Sequence, residues 1–124
     1  MMTDNQTTVR ELSDAVIRMC VSKGWGGETG LQNPQHVAMA MSAEMGELLE
    51  NFMWLNPPDV ERLVRGDDPE RTARAAEEFA DVMMYGLQLM RCLNVDVSSQ
   101  IERKIGIVMN RKPGEKKGDT VWHT

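Results

Sequence analysis

Apolar residues recur along this chain at intervals of three and four, whereas alternating runs rich in Val, Ile, Thr and aromatics are missing. The pattern predicts helices almost throughout. Val9, Leu12, Val16, Met19 and Cys20 make one stripe over about Thr7 to Lys23, and Gly24 supplies the stop. A glycine-rich loop runs from Gly24 to Gly30. Asn33-Pro34 then reads as N-cap and first residue of a second helix, which the spacing carries to about Leu55, where Asn56-Pro57-Pro58 ends it. A short connecting segment of one or two turns is expected over Asp59 to Arg65, then a long helix from Pro69 to Leu93. Asp96 or Ser98 caps a last helix carrying Ile101, Ile105, Val108 and Met109. These elements imply an all-α, four-helix-bundle-like fold with a short connecting helix. Residues 1–114 form a single helical domain and 115–124 a polar C-terminal tail.

At 100° per residue, Met41, Leu48 and Leu55 fall within about 40° of Val37 and define the inward stripe of the second helix. Glu44 lies about 20° from Val37, in mid-stripe, with Glu47 and Asn51 flanking it and Glu50 turned toward solvent. On the long helix, Ala75, Phe79, Met83, Gly86, Met90 and Leu93 form an apolar face. Glu78 edges that face in a row with Tyr85, Asp81 is one step further round, and Glu77, Gln88 and Arg91 make the wet side. This helix is apolar over more than half its circumference, which implies packing against a second subunit as well as its own.

Glu44-Met-Gly-Glu47 and Glu78-Phe-Ala-Asp81 each place two carboxylates on adjacent turns of one face. Like charges that close repel, and burial raises the penalty. A hard divalent cation with oxygen ligands relieves both, which points to Mg²⁺, with Mn²⁺ as the alternative, and to chemistry on phosphates. Neither His36 nor His123 follows a glutamate by three residues, which disfavours a di-iron carboxylate site, and the shortage of imidazole disfavours zinc.

Composition narrows the field further. The 124 residues carry a net charge of −5, against general nucleic-acid binding. Cys20 and Cys92 are the only cysteines and fall at apolar helical positions, as reduced packing residues in a cytoplasmic protein would. No run of eighteen apolar residues or signal-like leader is present, so no membrane association is expected. The eleven methionines read as packing residues. The Gly24 to Gly30 loop matches neither phosphate-binding glycine motif.

The run from Val37 through Glu44, Glu47 and Phe52-Met53-Trp54, followed by Glu77-Glu78-Phe-Ala-Asp81-Val-Met-Met-Tyr85, resembles the MazG-like all-α nucleoside triphosphate pyrophosphohydrolases, nearest the small dCTP pyrophosphatase branch. The Gly24-Trp25 loop and the Asn33-Pro34 helix start share the likeness, which covers about Ser22 to Lys112. The resemblance implies Mg²⁺-dependent hydrolysis of a (deoxy)nucleoside triphosphate, dCTP or a related pyrimidine, to monophosphate and pyrophosphate, as nucleotide-pool housekeeping by a homodimer or homotetramer. It implies Glu44, Glu47, Glu78 and Asp81 as metal ligands, Glu47 also orienting the attacking water. Lys104 and Asn110 match the lysine and asparagine that follow in the family, but two residues further apart, and Lys112-Pro113 lacks its tyrosine. Lys104 is assigned to the leaving pyrophosphate. Trp25, Asn51, Trp54, Tyr85, Lys104, Asn110 and Arg111 are the expected substrate contacts. Two other readings compete: a non-catalytic nucleotide or metal sensor, and a helical adaptor whose acids are surface salt-bridge partners.

Overall fold

A computed structural model describes residues 1–112, and every regular element among them is a helix. The expected tail at 115–124 lies outside the described residues. The chain divides into two compact units, 1–94 and 95–124.

Helix α1, Val9–Lys23, starts where Thr8 and Glu11 close a capping box. It ends at Gly24, whose φ of 77° is left-handed. The loop beyond closes through a 3₁₀ turn, Gly27–Thr29. Gly26 is indispensable there, because a Cβ on it would lie 2.6 Å from backbone atoms of Gly30 and Leu31.

Helix α2, Pro34–Glu50, opens on Asn33, whose Oδ1 accepts from the amides of Gln35 and His36. It stops five residues short of the predicted Leu55. Asn51 folds its amide back onto the carbonyls of Glu47 and Leu48 (both 3.3 Å), and residues 51–54 turn. Phe52, Met53 and Trp54 continue the apolar pattern in sequence but stand exposed on that turn.

The connecting segment is one helix, α3, Pro57–Val64. Asn56 and Asp59 form a capping box and Pro57 fits the first helical position, signals the pair of prolines masks when read only as a stop. Helix α4, Pro69–Cys92, is capped by Asp68. In the second unit, α5, Val97–Met109, is capped by Asp96, which settles the choice between Asp96 and Ser98.

Within the first unit α4 packs chiefly on α2 and also on α1. Gly86 lets α2 come close: the Met41 methyl would sit 3.4 Å from a Cβ placed there. Cys20, Val37, Val82 and Leu87 are buried at these contacts. The α4 face differs from the expected one. Phe79, Met83 and Leu93 are exposed. Toward its C-terminal end the helix is covered on more than one side, so the successive residues Leu87 and Gln88 are both buried. The expected wet side is covered there too. Gln88 is held by Gln32, and Arg91 pairs with Asp14 and donates to Ser13 Oγ.

Candidate active site

The α2–α4 contact determines which acids meet. Helical spacing puts Glu44 and Glu47 on one edge of α2, and the opposing row of α4 presents Glu78. One carboxylate oxygen from each of Glu44, Glu47 and Glu78 lies within 4.8 Å of the others. Asp81 is outside that triad, although its charge is felt by both Glu44 and Glu78.

None of the ion pairs formed among the described residues involves these four acids. Glu44 Oε2 is buried without a hydrogen-bond partner. The Glu44 carboxyl titrates above its ordinary range, first because a hydrogen bond with Glu47 favours the protonated form, then through burial and the charges of Glu47, Asp81 and Glu78. Glu78 is raised as well, chiefly by burial and then by the charge of Glu47.

These features fit a hard divalent cation. Glu44, Glu47 and Glu78 would each offer one carboxylate oxygen to such an ion. The orphaned Glu44 oxygen would gain the partner it lacks.

Two cavities flank the acids and differ in chemistry. One, of ≈ 170 Å³, is lined by Glu44 and Asp81 together with Trp25, Tyr85, Met19, Met84 and Gln88. The other, of ≈ 520 Å³, is lined by Glu47 and Glu78 with Glu50, Asn51, Arg71 and Arg74. Arg71 is already committed: it pairs with Asp68, and its Nη1 donates to the Asn51 carbonyl at 3.1 Å, tying α4 to the end of α2. Arg74 is exposed and takes part in none of the ion pairs formed among the described residues.

Of the expected substrate contacts, Trp25 and Tyr85 share the smaller cavity and Asn51 lines the larger. Trp54 lines neither; it is 80% exposed on the turn after α2, because that helix ends before reaching it. Lys104 is exposed on α5, Asn110 is the C-cap of that helix, and Arg111 follows it, all in the second unit. Gln88, Arg71 and Arg74 were not singled out by sequence. Yet Arg71, Arg74, Glu78, Asp81, Tyr85 and Gln88 follow one another at three- and four-residue steps, a single row along α4.

Comparison with known proteins gives the family. The MazG-like family model matches residues 39–121. Human dCTP pyrophosphatase 1 is 32% identical over 80 residues, covering 64% of this chain and 46% of the human protein, and the bovine protein of the same name is 30% identical over the same span. The match therefore spans less than half the length of those relatives. The crystal structure of a pyrophosphatase from Archaeoglobus fulgidus superposes with a TM-score of 0.71 at 26% identity, covering 91% of this chain and 99% of that one. The chain belongs to the MazG-like family.

Proposed function

We propose that the protein hydrolyses a (deoxy)nucleoside triphosphate, with dCTP or a related pyrimidine as substrate, to the monophosphate and pyrophosphate, and that it requires Mg²⁺. One observation carries the reading. A carboxylate triad with an unpartnered buried oxygen lies between an aromatic cavity and one bearing two arginines. The names of the relatives supply the substrate class.

Glu44, Glu47, Glu78 and Asp81 would hold the cation, which when bound neutralises charge on the phosphate oxygens. Trp25 and Tyr85 offer two ring faces to a base. On the opposite side Arg74 offers a guanidinium to the departing phosphates. Glu47, which lines the larger cavity, would orient or deprotonate the attacking water. Lys104 is proposed to stabilise the leaving pyrophosphate, and Asn110 and Arg111 to contact it.

The chain acts as a homodimer or homotetramer on this reading. Met39 and Leu49 of α2 and Phe79 of α4 are each more than half exposed, and a lone domain of this size gains nothing from leaving such side chains in water. No described helix is long and apolar enough to cross a membrane, and a cytoplasmic site of action is proposed.

The test is a pyrophosphate-release screen across the common triphosphates with and without Mg²⁺, alongside Glu78→Gln. Release that needs Mg²⁺ and is abolished in the folded variant is the expected result. No release from any triphosphate with the wild type would remove the hydrolase assignment, and unchanged release in Glu78→Gln would remove the carboxylate triad from the reaction.

A further inference from the structure

Gln88 occupies a position where an apolar side chain would be the simpler choice. It is 4% exposed, and burying an amide is unfavourable unless both of its ends are satisfied. One end is held. Gln32 Nε2 donates to Gln88 Oε1 at 2.8 Å. Gln32 is itself anchored: its backbone carbonyl accepts from the Cys92 thiol at 3.2 Å. With its carbonyl engaged, the NH₂ of Gln88 is the end left to donate.

Gln88 lines the ≈ 170 Å³ cavity together with Trp25 and Tyr85. On α4 it stands seven residues from Asp81, roughly 10 Å along the helix axis at 1.5 Å per residue. That span suits a nucleotide with its phosphates at the acids and the far edge of its base beside Gln88.

We propose that Gln88 reads the base, its amide N–H donating to a ring acceptor. The inference rests on the nucleotide reading above and deepens it. The discriminating acceptor is N3: cytosine leaves it free to accept, whereas the N3 of uracil carries a hydrogen that would oppose the Gln88 donor, and O2 is common to both bases. Gln88 therefore selects cytosine over uracil, and Gln32 keeps its amide from turning over. A site built around a hydrogen bond rejects a base lacking the partner more sharply than an apolar pocket rejects a change in size.

The experiment titrates wild type, Gln88→Met and Gln32→Met calorimetrically with dCMP and dUMP, and measures pyrophosphate release from dCTP and dUTP. Wild type should favour cytosine in both. Gln88→Met, similar in volume, should move the preference roughly tenfold toward unity, the weight of one lost hydrogen bond. Gln32→Met, altered beyond the reading group, should move it the same way by less, and it decides the question should Gln88→Met fail to fold. An unchanged preference in a folded variant, or a wild type that handles both bases equally, overturns the inference alone. A wild type that discriminates the monophosphates yet releases no pyrophosphate overturns the hydrolase assignment and leaves Gln88 as the reader. Binding of neither monophosphate together with no release from dCTP or dUTP overturns both.

Discussion

Replacing Gly26 with alanine should damage this protein far more than the same change at Gly24, two residues earlier in the same loop. Both glycines are left-handed, with φ of 80° and 77°. Each alanine therefore carries the penalty of that conformation, about 1 kcal/mol. At Gly24 nothing lies within 4 Å of the added Cβ, so the penalty ends there. At Gly26 the Cβ would lie 2.6 Å from Gly30 C and Leu31 N and 2.7 Å from Leu31 C, against an ordinary contact distance of 3.4–4 Å. All three are backbone atoms, so no side chain can rotate away and the loop itself must move by most of an ångström. The combined loss should reach about 3 kcal/mol or more. For a folding unit of this size each kcal/mol is worth about 4–8 °C. Thermal unfolding followed by circular dichroism should then show Gly24→Ala losing about 4–8 °C and Gly26→Ala about 12 °C or more. Gly26 also adjoins Trp25 in the wall of the smaller cavity, so whatever fraction folds should show a raised KM with kcat less affected. Equal losses for the two variants would refute the steric argument.

Three further outcomes follow from the site. For an acid whose folded pKa is raised above its unfolded value, no penalty exists below the unfolded value, and it grows as pH rises through the folded one; metal-free wild type should thus lose stability relative to Glu44→Gln as pH climbs from 4.5 to neutrality, while Mg²⁺ should raise the Tm of wild type and leave that of the variant unmoved. Arg74→Ala should weaken inhibition by added pyrophosphate roughly tenfold, the weight of one charge-assisted hydrogen bond, while Arg74→Lys recovers part of it; equal inhibition in all three would place the leaving group elsewhere. Leu49→Asp should convert an oligomer to a monomer in light scattering with helix content retained, and a wild type already monomeric would remove the proposed second copy.

Much of the fold was legible because caps and periodicity agreed. The start of α2 was marked by Asn33 and that of α5 by Asp96, both of which the structure shows capping, and Glu44 was marked by an angle that helix geometry alone supplies. What could not be read depended on partners distant in sequence. The end of α2 is decided by Asn51 bonding backward and by Arg71, twenty residues on, taking its carbonyl, so an unbroken apolar pattern through Trp54 misled. Gln88 and Arg91 looked solvent-facing because polarity is the usual mark of exposure. Their burial rests on Gln32, Ser13 and Asp14, far away in the sequence, which satisfy them one group at a time. Distance along the α4 row was nonetheless a usable signal, since Gln88 follows Tyr85 by three residues and Asp81 by seven.

The division of labour along α4 gives the site a direction. A carboxylate triad alone is symmetric in what it can bind, since a cation does not distinguish the two ends of a phosphate chain. The row on α4 breaks that symmetry, running from Arg71 and Arg74 through Glu78 and Asp81 to Tyr85 and Gln88. A triphosphate laid along it with its base among the rings puts the terminal phosphates beside the arginines. The α-phosphate then falls at the acids, which selects the α–β linkage for attack. In the reverse orientation the phosphates would enter a cavity lined, among the described residues, by no cationic side chain, and the base would meet guanidinium groups in place of rings. On the proposed reading, the order of residues along α4 would favour cleavage to monophosphate and pyrophosphate, with Gln88 at the row's far end left to meet the base.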